Sequence, residues 1–227
     1  MVNKQKYLSV NKLYDIWARK YDCENNLLMF LEAQTTKKLF QFSRKEVLDL
    51  GCGTGRYSIA IAKKNNVTAV DFNKQMLEIA EKKARKAGVK VNFERKDIIQ
   101  FESNKKFDVI ISMLVQDHIK DLDKVAQVIN NASKPGTEVF ISNVSPDFEK
   151  VEEKVKKTIF MNFYTDEYYH PLKEYIKVFR KYGFKLVDKK SIIFKKEHLS
   201  FIEINNPEAI VNKTLGVLYK FVKKMIK

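Results

Sequence analysis

Three glycines alternate across five positions in Gly51-Cys52-Gly53-Thr54-Gly55. They follow the short apolar run of Val47, Leu48 and Leu50 and precede Ser58-Ile59-Ala60-Ile61-Ala62-Lys63, a stretch of helix formers with an apolar face. The order this predicts is strand, tight turn, helix. Glycine lets the turn take positive φ and lets a ligand approach the backbone with no Cβ in the way. The helix points unpaired N–H groups back at the turn, which suits a polar ligand lying across the strand ends. About twenty residues on, Val67-Thr68-Ala69-Val70-Asp71 reads as a second strand ending in an acid. That acid is placed to accept hydrogen bonds from two ribose hydroxyls, or to cap the helix behind it.

The elements that must hold these residues follow from the rest of the pattern. Tyr14, Trp17, Ala18 and Tyr21 recur at helical spacing in a helical region spanning 7–42, with an apolar-faced helix over 25–42 leading into the first strand. After Asp71 a helix begins at Asn73 as N-cap and ends at Gly88. Phe72 and Met76 lie near its start. Val89-Lys90-Val91-Asn92-Phe93 alternates as a strand should, and Phe107 to Met113 is an apolar run expected to be a central strand. Further on come a helix from Asp121 to Ala132, a turn at Ser133-Lys134-Pro135-Gly136 and a strand from Thr137 to Ser142. Residues 146–165 read as basic and helical. Pro171 should open a helix that Gly183 closes, before strands at Phe184–Phe194 and Leu199–Ile204. The tail from Pro207 to Lys227 reads as one amphipathic helix. It carries Ile210, Val211, Leu215, Leu218, Phe221, Val222 and Met225 on one side and lysines on the other. Such a helix either docks on the domain or lies on an anionic membrane or a partner.

The totals bound the function. The chain has 227 residues, 44% of them apolar, enough for one sizeable α/β domain. Its net charge of +15 is mostly lysine spread along the chain, a pattern of solvated surface as much as of nucleic-acid binding. Cys23 and Cys52 are its two cysteines and have no C-x-x-C spacing, so neither a disulfide framework nor a zinc site is expected, and no metal ligand cluster stands out. No run approaches the length of a membrane span, the first residues lack the apolar core of a secretion signal, and a cytoplasmic location is expected.

The segment Asp49-Leu50-Gly51-Cys52-Gly53-Thr54-Gly55 resembles the Asp-x-Gly-x-Gly-x-Gly loop of the class I S-adenosylmethionine-dependent methyltransferases. The likeness runs from about Tyr14 to Phe184, includes the Lys134-Pro135-Gly136 turn and the Tyr168-Tyr169-His170-Pro171-Leu172 phrase, and points to the small-molecule, ubiquinone-biosynthesis-like group. It implies a Rossmann-like α/β fold: a doubly wound, seven-stranded, mostly parallel sheet in the order 3-2-1-4-5-7-6 with the last strand antiparallel. It implies S-adenosyl-L-methionine as cofactor. Asp49, Gly51, Cys52 and Gly53 would hold it at the turn and Asp71 at the ribose, with Phe72 and Met76 near the base. Asp97 and Ile98 would hold the adenine, Met113 lies at the central strand end, and Tyr21 belongs to a lid over the methionine end. By the same likeness residues 1–42 are the lid, 43–142 the cofactor core, 143–182 the substrate side, and 183–227 closing strands with the basic helix.

Methyl transfer from a sulfonium is an in-line displacement, and a base is needed only where the acceptor must lose a proton early. His118, after the central strand, and His170, in the aromatic segment, are the two candidates, because histidine titrates near neutral pH. His198 falls in an expected surface turn. Tyr164, Tyr168 and Tyr169 can line an aromatic pocket. The acceptor expected is a small molecule. RNA, held through the positive charge, and a non-catalytic cofactor-binding protein are the alternatives.

Overall fold

The computed structural model describes residues 6–23, 26–145, 163–200 and 210–225. Its strands are β1 (Lys6–Tyr7), β2 (Glu46–Leu50), β3 (Asn66–Asp71), β4 (Asn92–Arg95), β5 (Phe107–Met113), β6 (Ser133–Val144), β7 (Phe163–Tyr164), β8 (Phe184–Ile193) and β9 (Thr214–Lys223). Its helices are α1 (Val10–Trp17), α2 (Leu27–Thr36), α3 (Arg56–Ala62), α4 (Lys74–Lys86), α5 (Leu122–Ala132) and α6 (Leu172–Lys181).

Seven strands form one sheet in the order β4-β3-β2-β5-β6-β9-β8. Numbered within the sheet, that order is 3-2-1-4-5-7-6, as expected. β9 runs antiparallel to both neighbours, and the remaining pairs are parallel. The central strands are buried on both faces, which is why they read as unbroken apolar runs. Leu48, Leu50, Ile110, Val139 and Ile141 pack on one face with Val125 and Ile129 of α5 and Phe179 of α6. Val47, Val109, Ile111 and Phe140 pack on the other with Ile61 of α3 and Leu77 of α4. A third cluster joins Leu27, Leu28 and Leu31 of α2 to Ile192, Phe194 and Leu215. Outside the main sheet, β1 pairs in parallel with β7, which brings the N-terminal segment and the segment before α6 together.

The tail departs from expectation. Residues 214–223 are a strand, not a helix, so the amphipathic helix expected from the sequence, docked or lying on a membrane, does not exist there. The apolar positions match a helical stripe only because β9 is buried on both faces: Leu215, Val217, Leu218, Tyr219 and Phe221 are all buried. Gly216 was the contrary signal. Its missing side chain lets Leu28 Cδ1 and the Asn143 carbonyl approach to 2.8 and 3.0 Å of where a Cβ would stand. Two lysines of the supposed solvated face have partners: Lys220 Nζ meets Glu138 at 2.5 Å, and Lys223 donates to Asn130 Oδ1 at 2.6 Å.

Smaller differences share a local cause. Leu199 sits in a 3₁₀ turn, Lys196–Ser200, rather than a strand; 201–209 lie outside the described residues, and β9 takes the place beside β8. α2 stops at Thr36, where Thr35 and Thr36 turn their hydroxyls back onto the Leu31 and Glu32 carbonyls. The strand expected at 89–93 is β4, at Asn92–Arg95. The Lys134-Pro135-Gly136 turn survives as an irregularity inside β6, between the Phe107–Ser133 and Val109–Glu138 pairings. The helix expected over 146–165 lies almost wholly outside the described residues. Among the described residues no helix is long and apolar enough to cross a membrane.

Candidate functional site

β2 ends at Leu50, and the chain turns through Gly51 and Gly53 with φ of 77° and 51° before α3 begins. The Gly51 and Cys52 amides donate to the Val70 carbonyl at 2.8 and 3.0 Å, which pins the turn to β3. The two glycines differ in what surrounds them. A Cβ on Gly51 would stand 2.5 Å from Cγ2 of Val115, whereas one on Gly53 would meet nothing within 4 Å. Gly51 is needed for packing, and Gly53 leaves the backbone bare beside open space.

Asp71 closes β3 and is 7% exposed. Its Oδ2 accepts from the Gly53 amide at 2.8 Å and its Oδ1 from the Asn73 amide at 2.8 Å. Burial raises its pKa, and these backbone bonds oppose the rise. Asn73 caps α4 by accepting from the Met76 amide. Its side-chain amide reaches Asp15 Oδ1 at 2.8 Å and Asn11 Oδ1 at 3.0 Å, so the start of α4 is tied to α1. Asp49, 2% exposed, accepts from the Ser58 hydroxyl. Burial, with the charge of Asp71, pushes its carboxyl up to about 7 against the pull of Ser58 and Arg56. The Cys52 thiol is pushed well up by burial and by both acids, which keeps it from serving as a thiolate.

A cavity of about 830 Å³ opens beside this turn. Asp49, Gly51, Cys52 and Gly53 line it from the turn, and Asp71, Phe72 and Met76 from the junction of β3 and α4. Asp97 and Ile98 line it from the segment after β4, Met113 from β5, and Tyr21 from the N-terminal segment. Asp97 also caps the short 3₁₀ turn that follows, accepting from the Ile99 amide at 3.1 Å. Burial raises the Tyr21 hydroxyl to about 12. The N-terminal segment is fastened over the turn by Asp22, which accepts from the Thr54 hydroxyl at 2.8 Å and from Lys83 at 2.7 Å. Trp17 is buried against Tyr14 and Tyr21 as packing.

The three histidines separate. His118 lines the cavity, and its Nε2 lies 2.8 Å from the Tyr14 hydroxyl. Its buried Nδ1 makes no full hydrogen bond; the Asp166 backbone is the group near it. Burial pulls its pKa down to about 4. His170 is outside the cavity lining. One ring nitrogen meets the Ile119 carbonyl at 2.7 Å and the other Glu174 at 3.2 Å, so both are occupied in joining the loop after β5 to α6. His198 accepts from the Lys195 amide in the 3₁₀ turn. Tyr168 lines the cavity; Tyr169 is 45% exposed and does not.

Several lining residues carried no expectation. Tyr14 enters the sequence pattern only as part of a helical stripe. Arg56, the first residue of α3, lines the cavity and pairs at 2.5 Å with Glu32, which is fully buried in α2. The available signal was an acid standing in the apolar stretch Leu27-Leu28-Met29-Phe30-Leu31-Glu32. Among the described residues no group of three His, Cys, Asp or Glu is placed to hold a metal ion. The arrangement offers bare backbone, the carboxyl groups of Asp49, Asp71 and Asp97, and apolar side chains to a ligand with a polar part, next to a neutral histidine.

A family model described as a methyltransferase domain matches residues 41–175. Among curated proteins, the ubiquinone biosynthesis O-methyltransferase of Rickettsia conorii is 32% identical over 116 residues, 51% of this chain and 40% of that protein. The protein of the same name from Coxiella burnetii is 32% identical over 124 residues, 54% of this chain and 51% of that one. The chain thus spans two fifths to about half of the length of these relatives. Among solved structures, magnesium protoporphyrin IX methyltransferase from Synechocystis, with bound SAH, superposes with a TM-score of 0.69 at 18% identity, covering 95% of this chain and 98% of that one. That likeness is one of fold.

Proposed function

This chain belongs to the methyltransferase-domain family, and on that premise we propose that it moves a methyl group from S-adenosyl-L-methionine to a small-molecule acceptor. The observation that carries the reading is the joint between Gly53 and Asp71. The carboxylate fixes the bare amide of the turn at 2.8 Å, and both groups line the same cavity. Asp71 Oδ2 accepts from the Gly53 amide and Oδ1 from the Asn73 amide, and a carboxylate, with about four lone-pair sites, has acceptor capacity left for ribose hydroxyls. The open space at Gly53 is room that a side chain would fill. Asp97, exposed at the cavity edge, and buried Ile98 and Met76 supply an acceptor and apolar contact for a flat base. These residues fit the nucleoside part of the cofactor.

When bound, the cofactor supplies a methyl group on a positively charged sulfur, reactive without further activation. The protein's part is alignment and exclusion of water. Tyr21 covers the cavity from the N-terminal segment, and Asp22 and Asn73 hold that segment down. Tyr14 and His118 form a neutral hydrogen-bonded pair on the cavity wall. At neutral pH His118 is an orienting group and a weak base, because its ring resists protonation. His170 has no ring nitrogen to spare and acts in packing the loop.

An oxygen acceptor is the first class to try, since the curated relatives are named O-methyltransferases. We place the enzyme in the cytoplasm, where the unpaired Cys23 and Cys52 stay reduced. The test is transfer of labelled methyl from the cofactor into a metabolite extract, with the labelled product identified. Wild-type protein that binds neither the cofactor nor its demethylated product in calorimetry overturns the reading.

A further inference from the structure

Glu32 is fully buried in the middle of a helix and is surrounded by donors from other elements. Oε2 accepts from Arg56 Nη2 at 2.5 Å and from the Tyr57 hydroxyl at 3.0 Å, both at the start of α3 just past the glycine turn. Oε1 accepts from the Ser142 hydroxyl on β6. Ser142 in turn accepts from the Leu114 amide at 3.0 Å. Leu114 stands at the end of β5 with φ of 58°, a left-handed conformation that a leucine rarely adopts. The Arg56 guanidinium is held on a second side, Nη1 donating to the Met29 carbonyl at 2.9 Å. Arg56 and Leu114 both line the cavity.

A buried ion pair is a poor stability device, because desolvation cancels much of the attraction. Here the pair does something an apolar contact cannot. One carboxylate sets the direction of a guanidinium and, through the Ser142 hydroxyl, adds to the bond from the Leu114 amide to the Ser142 carbonyl at 3.0 Å in holding a strained bend of the cavity wall. Arginine has five N–H donors, and Glu32 and Met29 take two of them. Another edge is left for a second acceptor, and Arg56 keeps 26% of its side chain exposed.

We propose that Arg56 is an anion-recognition group of this cavity for a ligand carboxylate, and that Glu32 is its positioning residue. The identity of the ligand rests on the methyl-donor reading above. The carboxylate belongs either to the amino-acid end of the donor or to the acceptor, and one experiment separates the two.

Wild type, Glu32→Gln, Arg56→Gln, the double variant and Thr36→Val are compared. Thr36 also contacts the Tyr57 hydroxyl but not Arg56, so Thr36→Val should lower the melting temperature and leave affinity alone. In the free protein the slowly exchanging Arg56 guanidinium proton signal, assigned by its loss in Arg56→Gln, should persist in Thr36→Val and collapse in Glu32→Gln. In calorimetry, S-adenosylhomocysteine should bind Glu32→Gln about tenfold more weakly or worse, and the double variant no worse than Arg56→Gln alone. 5′-Methylthioadenosine, which lacks the carboxylate, should bind all alike. If S-adenosylhomocysteine is instead insensitive, benzoate binding to the loaded wild type, lost in both single variants, assigns the acceptor side. A guanidinium signal indifferent to Glu32→Gln, or equal binding of every probe, overturns the proposal. Wild type that fails to bind S-adenosylhomocysteine sinks the methyl-donor reading, and the guanidinium signal alone then decides on Glu32.

Discussion

The Tyr14 hydroxyl and His118 Nε2 meet at 2.8 Å, joining α1 to the loop that follows β5. Their rings lie edge to face, with centroids 5.4 Å apart. Since burial holds the imidazole neutral, one ring nitrogen carries the proton, and the tautomer decides which of the pair donates. His118 should therefore titrate near pH 4, and ring signals followed by NMR will check this. A midpoint at the ordinary 6.5 removes the neutral pair. The same state predicts no acid limb near pH 6.5 in kcat/KM.

Asp49 and His118 should tilt stability in opposite directions. The folded pKa of Asp49, about 7, stands above the ordinary 3.8, so between these values the folded chain holds a proton the unfolded chain has released. Its contribution falls as pH rises through that window. His118, at about 4 against 6.5, binds less proton when folded, and its contribution falls as pH drops from 6.5 to 4. Asp49→Asn should remove the first slope, at most about 1.4 kcal/mol per pH unit for one proton. Urea unfolding at half-unit steps from pH 4 to 7.5 measures it. An unchanged slope in Asp49→Asn refutes the assignment.

Alanine at Gly51 and at Gly53 should fail in different assays. Both positions carry positive φ, which costs a side chain about 1–2 kcal/mol. Gly51→Ala adds a clash with Val115, so its stability loss should be the larger, and Val115→Ala should restore part of it. Gly53→Ala has no such clash and should fold, yet bind S-adenosylhomocysteine poorly. Melting curves beside calorimetry test the contrast, which fails if both variants lose only stability.

Asp71→Asn replaces one acceptor oxygen with a donor that must face either the Gly53 or the Asn73 amide. We expect about 1–3 kcal/mol off the affinity for S-adenosylhomocysteine. Wild-type affinity in this variant would take Asp71 out of cofactor binding.

Removal of residues 214–227 should abolish the fold rather than trim it. β9 supplies the pairing for both β6 and β8 and buries Leu215, Tyr219 and Phe221. A docked terminal helix would leave the sheet intact when cut. Circular dichroism and melting of the truncated chain distinguish the two, and a cooperative transition near that of the full chain contradicts the strand.

Much of this architecture was open to reading in one dimension. The turn at Gly51 to Gly55, the span Phe107–Met113, the cap Asn73 and the helix that ends at Ala132 are local features with local causes, and each appears in its expected place. The tail was not readable, because a strand buried on both faces and a docked helix share an apolar density, and Gly216 was the sole dissent. Glu32 and Arg56 could not be joined either. Their meeting depends on α2 crossing to α3 over an interval of 24 residues, a tertiary event that no periodicity records. The difference between His118 and His170 likewise rests on which of them a neighbouring carbonyl captures.

The place of β9 also governs the order of assembly. Among the seven strands of this sheet it comes last in chain order, yet it fills an interior slot between two strands made before it. Until Thr214–Lys223 emerges, β6 and β8 each carry an unpaired rim of amides and carbonyls. The nascent chain must therefore wait, half-zipped, and that interval is its season of greatest exposure to misassociation.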